Sequence, residues 1–290
     1  MTSRTIRAQT AQETLNILDR GWYVAPSGRQ VIFADALKDA SAKSILYQPN
    51  DFDALYKQRD EIGRNKSTNT ATVFQVANIT TLSAAKKILE ARESASVVCL
   101  NFASAKHPGG GFLSGSQAQE ESLARATGLY PCIAQMHAMY QANKRLDSCL
   151  YTDHMIYSPG VPVFRDDKDI LLEEPWYASF ITAPAVNAGA VMSNEKQNVS
   201  QIGLTMLNRI EKLLSIAVIH DHNVLVLGAW GCGVFKNSPT DVANWFKEQL
   251  VSNRTFNQTF KTIVFAVLDH STELINLKPF VQAFEPLQGG

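Results

Sequence analysis

The chain has 290 residues, 27 Lys and Arg balanced by 27 Asp and Glu, and a hydrophobic content of 45%. That length and content support a sizeable core in one large or two small domains. Zero net charge offers no basic face to duplex nucleic acid, so a polyanionic ligand would need locally placed donors.

Residues 4–20 carry a helix pattern with Ile6, Leu15, Ile17 and Leu18 among polar residues, and Gly21 ends it. Trp22–Val24, Pro26–Gly28 and Gln30–Phe33 read as strand, turn, strand. Ala34–Ala42 reads as a short helix, Ile45–Tyr47 as a weak strand, Asp51–Arg64 as helix and loop, and Lys66–Asn69 as loop. Together, residues 1–70 are expected to form an accessory extension packed on a core of residues 71–290.

The α/β alternation then becomes regular. Ala71–Val76 is a predicted strand, and Thr80 or Thr81 can cap a helix over Leu82–Arg92. Val97–Phe102 is the next strand, followed by a glycine loop, a helix from about Ser116 to Ala126 and a helical stretch over Tyr130–Asn143. Short strands are expected at Met155–Tyr157 and Val161–Phe164 around Ser158-Pro159-Gly160, and a further strand at Trp176–Thr182. Asn194–His220 reads as one long helical stretch with Ile202, Met206, Ile210, Leu213, Leu214 and Ala217 on its apolar side. Strand Val224–Leu227, helix Pro239–Leu250, strand Thr262–Leu268 and a short helix Phe280–Phe284 complete the chain. Strands separated by helices predict a central, largely parallel sheet between helical layers, with ligands at the carboxyl ends of its strands.

Two loops carry the candidate chemistry. In the first, strand Val97–Phe102 runs into Gly109-Gly110-Gly111 and then Gln119-Glu120-Glu121. Glycines let a backbone turn its amides toward a ligand, and such concave arrays bind phosphate. Adjacent carboxylates just beyond could do acid/base chemistry. The same residues also fit plain structural uses: a tight turn, a capping box from Ser116 to Gln119, and a surface pair of Glu121 with Arg125. In the second loop, strand Val224–Leu227 runs into Gly228 and then Gly231-Cys232-Gly233-Val234-Phe235, with Ser238 and Pro239 opening a helix. Its glycine amides make a second plausible phosphate site, and Phe235 offers a ring to stack on ligand or plug the loop. Each loop could hold one side of a diphosphate.

Glycine triplet, seven residues, then Gln119-Glu120-Glu121 resembles the signature of poly(ADP-ribose) glycohydrolases. The flanks NFASAKHPGGG and SLARATGLYPCI, the strings ITAPAVNAGAV and GCGVF, and the helix-plus-hairpin preface resemble the compact bacterial-type branch. That resemblance implies a three-layer α/β/α macrodomain-like mixed sheet with an N-terminal helix-and-hairpin extension. It implies hydrolysis of the ribose–ribose bond of poly(ADP-ribose), working from chain ends, through an oxocarbenium-like transition state. By position, Glu121 is then the general acid/base and Glu120 accepts hydrogen bonds from ribose hydroxyls. Gln119 supports the carboxylates or the ligand. Asn101 is the candidate for the family's ribose-contacting Asn, because the family's Phe-Ala-Asn reads Phe102-Ala103-Ser104 here. The resemblance also implies that Gly231–Phe235 holds the diphosphate and Asn78 lies where adenine contacts fall. His107 lies in the glycine loop, where a ligand contact is open to it, and Asn187 reads as a structural residue.

A helix start favours ionised glutamate, whereas an acid must keep its proton; burial under ligand and a like-charged neighbour favour the protonated form. A non-catalytic ADP-ribose-binding macrodomain, or a hydrolase of single protein-linked ADP-ribose units, would share the fold; the intact Glu120-Glu121 pair is what a reader of ADP-ribose would not require. No metal spacing such as HExxH occurs, and no metal or cofactor is expected. Expected partners are poly(ADP-ribose), ADP-ribose and ADP-ribosylated proteins, met by a monomer. Four dispersed cysteines, no apolar run long enough to span a membrane and no signal-type N-terminus predict a cytoplasmic, reduced protein.

Overall fold

The computed structural model describes residues 2–65, 71–91 and 95–285. The loop expected at Lys66–Asn69 and the helix end at Arg92 lie outside the described residues. In chain order the elements are α1 (Ser3–Arg20), β1 (Trp22–Val24), β2 (Gln30–Ile32), α2 (Ala34–Ala42), β3 (Ile45–Tyr47), α3 (Phe52–Asn65), β4 (Val73–Ala77), α4 (Thr81–Ala91), β5 (Val97–Phe102), α5 (Gln119–Ala126), α6 (Leu129–Ala134) and α7 (His137–Arg145). There follow β6 (Met155–Arg165), β7 (Leu171–Ala183), α8 (Ala188–Asn194), α9 (Ile202–Ile219), β8 (Val224–Leu227), α10 (Pro239–Lys247), β9 (Thr262–Ala266) and α11 (Leu277–Phe284).

Seven strands form one mixed sheet in the order β3-β6-β7-β5-β8-β9-β4. The pairs from β7 across to β4 are parallel, and β6 is antiparallel to both β3 and β7. Alternation along β5 sorts the core. Val98 and Leu100 pack with Ile210, Leu214 and Phe246 on the side of α3 and α8–α11. Val97 and Cys99 pack with Leu123, Leu129 and Tyr140 on the side of α4–α7. The result is the expected three-layer α/β/α arrangement.

Of the first 70 residues, β3 belongs to the main sheet and α3 packs on it through Phe52 and Leu55. The β1–β2 hairpin instead closes its own small core, in which Tyr23, Phe33 and Leu37 meet Phe164. Helix α1 lies over the first glycine loop, with Ala11 against Phe112 and Ala124.

Three predicted elements change. The two short strands around Pro159 are one strand, β6, because a register shift between Ser158 and Val161 absorbs the Pro-Gly pair. The helical stretch from Tyr130 divides at Gln135 and Met136 into α6 and α7. The long helix from Asn194 divides too: α8 ends at Asn194, a 3-10 segment covers Lys196–Gln201, and α9 starts at Ile202. Glu195 makes that break worthwhile by accepting from Ser148 Oγ at 2.6 Å and from the Cys149 N–H at 2.6 Å. Among the described residues no helix is long and apolar enough to cross a membrane.

Candidate active site

The loops after β5, β7, β8, β9 and β4 all leave the carboxyl edge of the parallel strands, where open α/β sheets bind ligands. β5 and β8 are hydrogen-bonded neighbours, so the two predicted glycine loops start side by side. A Cβ on Gly228 would lie 3.0 Å from the Phe102 ring.

Gln119 starts α5, but not as half of a capping box. The N-cap is Ala118, with no side-chain cap. Sheet and helix compete for the Gln119 amide and win: Oε1 accepts the Phe102 N–H at 2.9 Å, while Nε2 donates to Leu100 O at 2.7 Å and Thr81 Oγ1 at 3.1 Å. Gln119 thus rivets the helix start to β5 and α4, and its polar atoms are spent on the chain.

Adjacent helical residues diverge by about 100°, and the two glutamates accordingly face different surroundings. Glu120 is only 3% exposed. Its Oε2 accepts the Ser104 N–H at 2.7 Å, and its Oε1 accepts the Gly109 N–H at 3.2 Å and Asn101 Nδ2 at 3.4 Å. Burial raises its pKa to about 8, against the pull of the Ser104 N–H; the Glu121 charge raises it further, and the Asn101 and Gly109 bonds oppose. Glu121 is half-buried, and its Oε1 accepts the Gly111 N–H at 3.0 Å.

The glycine triplet therefore turns its amides inward. Gly109 and Gly111 donate to the two glutamates, and Gly110 donates to His107 O at 3.0 Å. Expected to face phosphate, the Gly109 and Gly111 amides are held by carboxyl groups in this structure, where a buried acid left without donors is costly. Gly110 has φ +58, and a Cβ there would overlap Glu121 Oε1 and lie 3.2 Å from Glu120 Oε2. Glycine is needed so that both carboxyl groups can close on the turn.

Asn101 is fully buried, behind Glu120, bonded to it and to Thr182 Oγ1 at 3.2 Å. It is placed to hold Glu120. Ser104, passed over in the sequence, supplies the shortest bond to Glu120; its place in the Phe-Ala-Asn alignment was the available signal. The Glu121–Arg125 surface pair does not form. Arg125 is 2% exposed and donates to Asp169 at 3.2 Å and to Ser116 O at 3.1 Å.

Among the described residues, no acceptor takes the main-chain N–H groups of Gly231, Gly233, Val234 or Phe235, whereas that of Cys232 donates to Ala229 O. Val234 is 82% exposed and Phe235 half-buried. Gly231 has φ +75, and a Cβ there would press on Ala185 Cβ at 2.6 Å and Asn237 Nδ2 at 2.5 Å. The buried Asn237 pins the loop, donating to Val186 O at 2.7 Å and Gly231 O at 3.1 Å, and Trp230 Nε1 donates to Ala183 O at 3.1 Å. Nothing in its sequence surroundings marked Asn237. Burial pushes the Cys232 thiol up to about 12, so it stays a thiol.

Asn187 caps α8 by accepting from Ala190 N at 3.1 Å, as a structural residue would. Asn78 exchanges hydrogen bonds with the main chain of Asp269 at 2.9 Å in both directions. His107 is exposed. Among the described residues no group of His, Cys, Asp and Glu could hold a metal. A cleft of about 470 Å³ between α1, α2 and α6 is lined by none of the site residues.

Comparison with known proteins gives a consistent answer. The family model described as the catalytic domain of microbial-type PARG matches residues 11–166. The structure is similar to that of poly(ADP-ribose) glycohydrolase from Thermomonospora curvata, with TM-score 0.90 and 44% identity over 97% of this chain and 100% of that one. The same enzyme bound to the inhibitor ADP-HPD gives TM-score 0.88, 43% identity and the same coverage. The glycohydrolase from Deinococcus radiodurans in complex with ADP-ribose gives TM-score 0.79 and 39% identity over 87% of this chain and 98% of that one. A search of curated proteins gave no match.

Proposed function

The chain belongs to the microbial-type poly(ADP-ribose) glycohydrolases, and we propose that Glu121 is the side chain with which it opens the ribose–ribose bond. Its activity is glycoside hydrolysis of poly(ADP-ribose), and ADP-ribose is its ligand. The observation that carries the assignment of Glu121 is the division of labour between the two glutamates. Glu120 has most of its roughly four acceptor positions filled by the chain. Glu121 holds one main-chain donor and keeps its other oxygen for chemistry.

In the proposed reaction Glu121 gives its proton to the ribose 2′-oxygen of the leaving unit as the bond from that oxygen to the terminal ribose C1″ breaks. The oxocarbenium-like sugar then takes a water on C1″, and the water's proton returns to Glu121, restoring it. Glu120, locked by Asn101, Ser104 and Gly109, offers its remaining acceptor position to a ribose hydroxyl. The unspent amides of Gly231, Gly233, Val234 and Phe235 receive the diphosphate, with the Phe235 ring beside it; preset donors of this kind need no reorganisation during the reaction.

Action from chain ends belongs to the same reading. At the ends of β4 and β9, Asp269 accepts the N–H groups of Ser271, Asn276 and Leu277, and Asn78 clasps its main chain. We read this tied loop as a wall on that side of the site, which supports action from chain ends. The partners are ADP-ribosylated proteins, met by a single chain in a reducing cytoplasm, in keeping with four free cysteines. Polymer with blocked termini separates the modes: an end-acting enzyme leaves it intact, and shortening of the blocked polymer rules the end-acting mode out.

A further inference from the structure

Tyr151 carries a conformation that bulky residues avoid. Its φ is +60, in the left-handed region where a non-glycine aromatic is a genuine outlier. Such a residue persists only where its surroundings over-determine it, and here they do. Arg209 is fully buried and donates to Leu150 O at 3.0 Å, Tyr151 O at 3.3 Å and Pro184 O at 3.1 Å. Its Nε donates to Asp153 Oδ1 at 2.9 Å, so a charge-paired guanidinium grips both sides of Tyr151. On either flank Cys149 O accepts the Asn187 N–H at 2.9 Å, and Asn143 Oδ1 accepts the Thr152 N–H at 2.7 Å.

What this clamp delivers is a ring. Tyr151 lies 5.8 Å, centroid to centroid, from Phe235 at an interplanar angle of 48°, within the range of favourable aromatic pairs. Phe235 in turn closes the loop whose amides are unspent, and its carbonyl accepts the Gly189 N–H at 2.9 Å. Arg209 and Tyr151 thus reach the loop through one aromatic contact.

We propose that Tyr151 is a positioning residue for the reaction: a clamped left-handed backbone holds its ring against Phe235, and through Phe235 fixes the loop that takes the diphosphate. This rests on the reading of Gly231–Phe235 as the diphosphate loop. Tyr151 itself touches no reacting atom. Its removal loosens ligand binding while leaving the acid at Glu121 in place.

The test is a double-mutant cycle on the full chain, read by calorimetric titration with ADP-ribose and by KM and kcat on poly(ADP-ribose). Tyr151→Asn tolerates the left-handed backbone but removes the ring; it is expected to raise the ADP-ribose Kd and the KM about tenfold, with kcat within about threefold. In a Phe235→Ala background the same change is expected to cost less than about twofold, because its route to the ligand is gone. Tyr151→Phe keeps the ring and is expected to stay within about threefold of wild type. Should Tyr151→Asn fail to fold, Tyr151→Leu, which keeps bulk without a planar ring, replaces it in the cycle. Losses that add fully with Phe235→Ala, or wild-type affinity without the ring, would overturn the proposal. Failure of the diphosphate reading looks different: Phe235→Ala itself would leave ADP-ribose affinity unchanged.

Discussion

Glu121 and Gly111 are joined by one hydrogen bond, main-chain N–H to Oε1 at 3.0 Å. It holds the carboxyl group of the proposed acid against the glycine turn, ten residues upstream, and fixes which way its second oxygen faces.

Gly110, between the two donors, is where that arrangement is easiest to break. A methyl group there overlaps Glu121 Oε1 and crowds Glu120 Oε2, at a φ of +58 that alanine resists by roughly 1–2 kcal/mol. Displacing a catalytic group by about 1 Å costs on the order of 10²-fold. Gly110→Ala is therefore expected to lower kcat/KM about 100-fold while lowering the melting temperature by only a few degrees. Steady-state kinetics beside a thermal melt check both numbers.

Glu120 makes a pH prediction. Burial raises its pKa in the fold to about 8 from 4.5, so between those values the folded state binds the extra proton. Stability from this group is present below 4.5 and lost as pH rises through 8. Wild type should lose stability in urea unfolding between pH 6.5 and 8. Glu120→Gln carries a constant offset from its misplaced amide but should show little slope there. Equal slopes would mean that Glu120 is ionised throughout.

The N-terminal helix supports the catalytic one through Ala11, packed on Ala124, and through one buried hydrogen bond. Arg125 lies in the last turn of α5, where carbonyls lack helical partners, and its oxygen accepts Thr14 Oγ1 at 2.7 Å. Thr14 is fully buried. Thr14→Val keeps the shape and removes the donor, so it should destabilise by about 1–3 kcal/mol. The midpoint of a denaturant titration reads this directly.

Much of this site is legible in the sequence. Val97–Phe102 and Val224–Leu227 read as strands from their apolar runs alone, because a buried parallel strand has no polar face to blur the pattern, and the two glycine loops were visible immediately after them. What local sequence could not show was who the local groups would choose as partners. Gln119 could have capped its own helix and instead bonds Phe102 and Leu100; Arg125 could have met Glu121 and instead meets Asp169. Tyr151, Asn237 and Arg209 gave no local signal, since each acts on a chain segment more than five residues away. Long-range competition of this kind routinely overrides local preference.

On the far edge of the sheet, His220 stacks on Tyr157 at 3.6 Å and meets Tyr47 OH at 2.8 Å, while Tyr157 OH meets His222 at 2.9 Å. Burial lowers both histidines to about 4 from 6.5. The unfolded chain then binds the extra protons between those values, so their contribution is full above 6.5 and lost as pH falls through 4. His220→Phe keeps the stack without the titration. Relative to wild type, its melting temperature should gain as pH is lowered from 6.5 to 4; a constant difference would contradict the assignment.

The central claim is that Glu121 is the acid and base of glycosidic cleavage. It is tested most directly by incubating labelled poly(ADP-ribose) with wild type and with Glu121→Ala and measuring free ADP-ribose. The expected result is release by wild type, a fall of about 10²–10⁴-fold in the variant, and ADP-ribose affinity retained by both. Release at a wild-type rate by Glu121→Ala would contradict it.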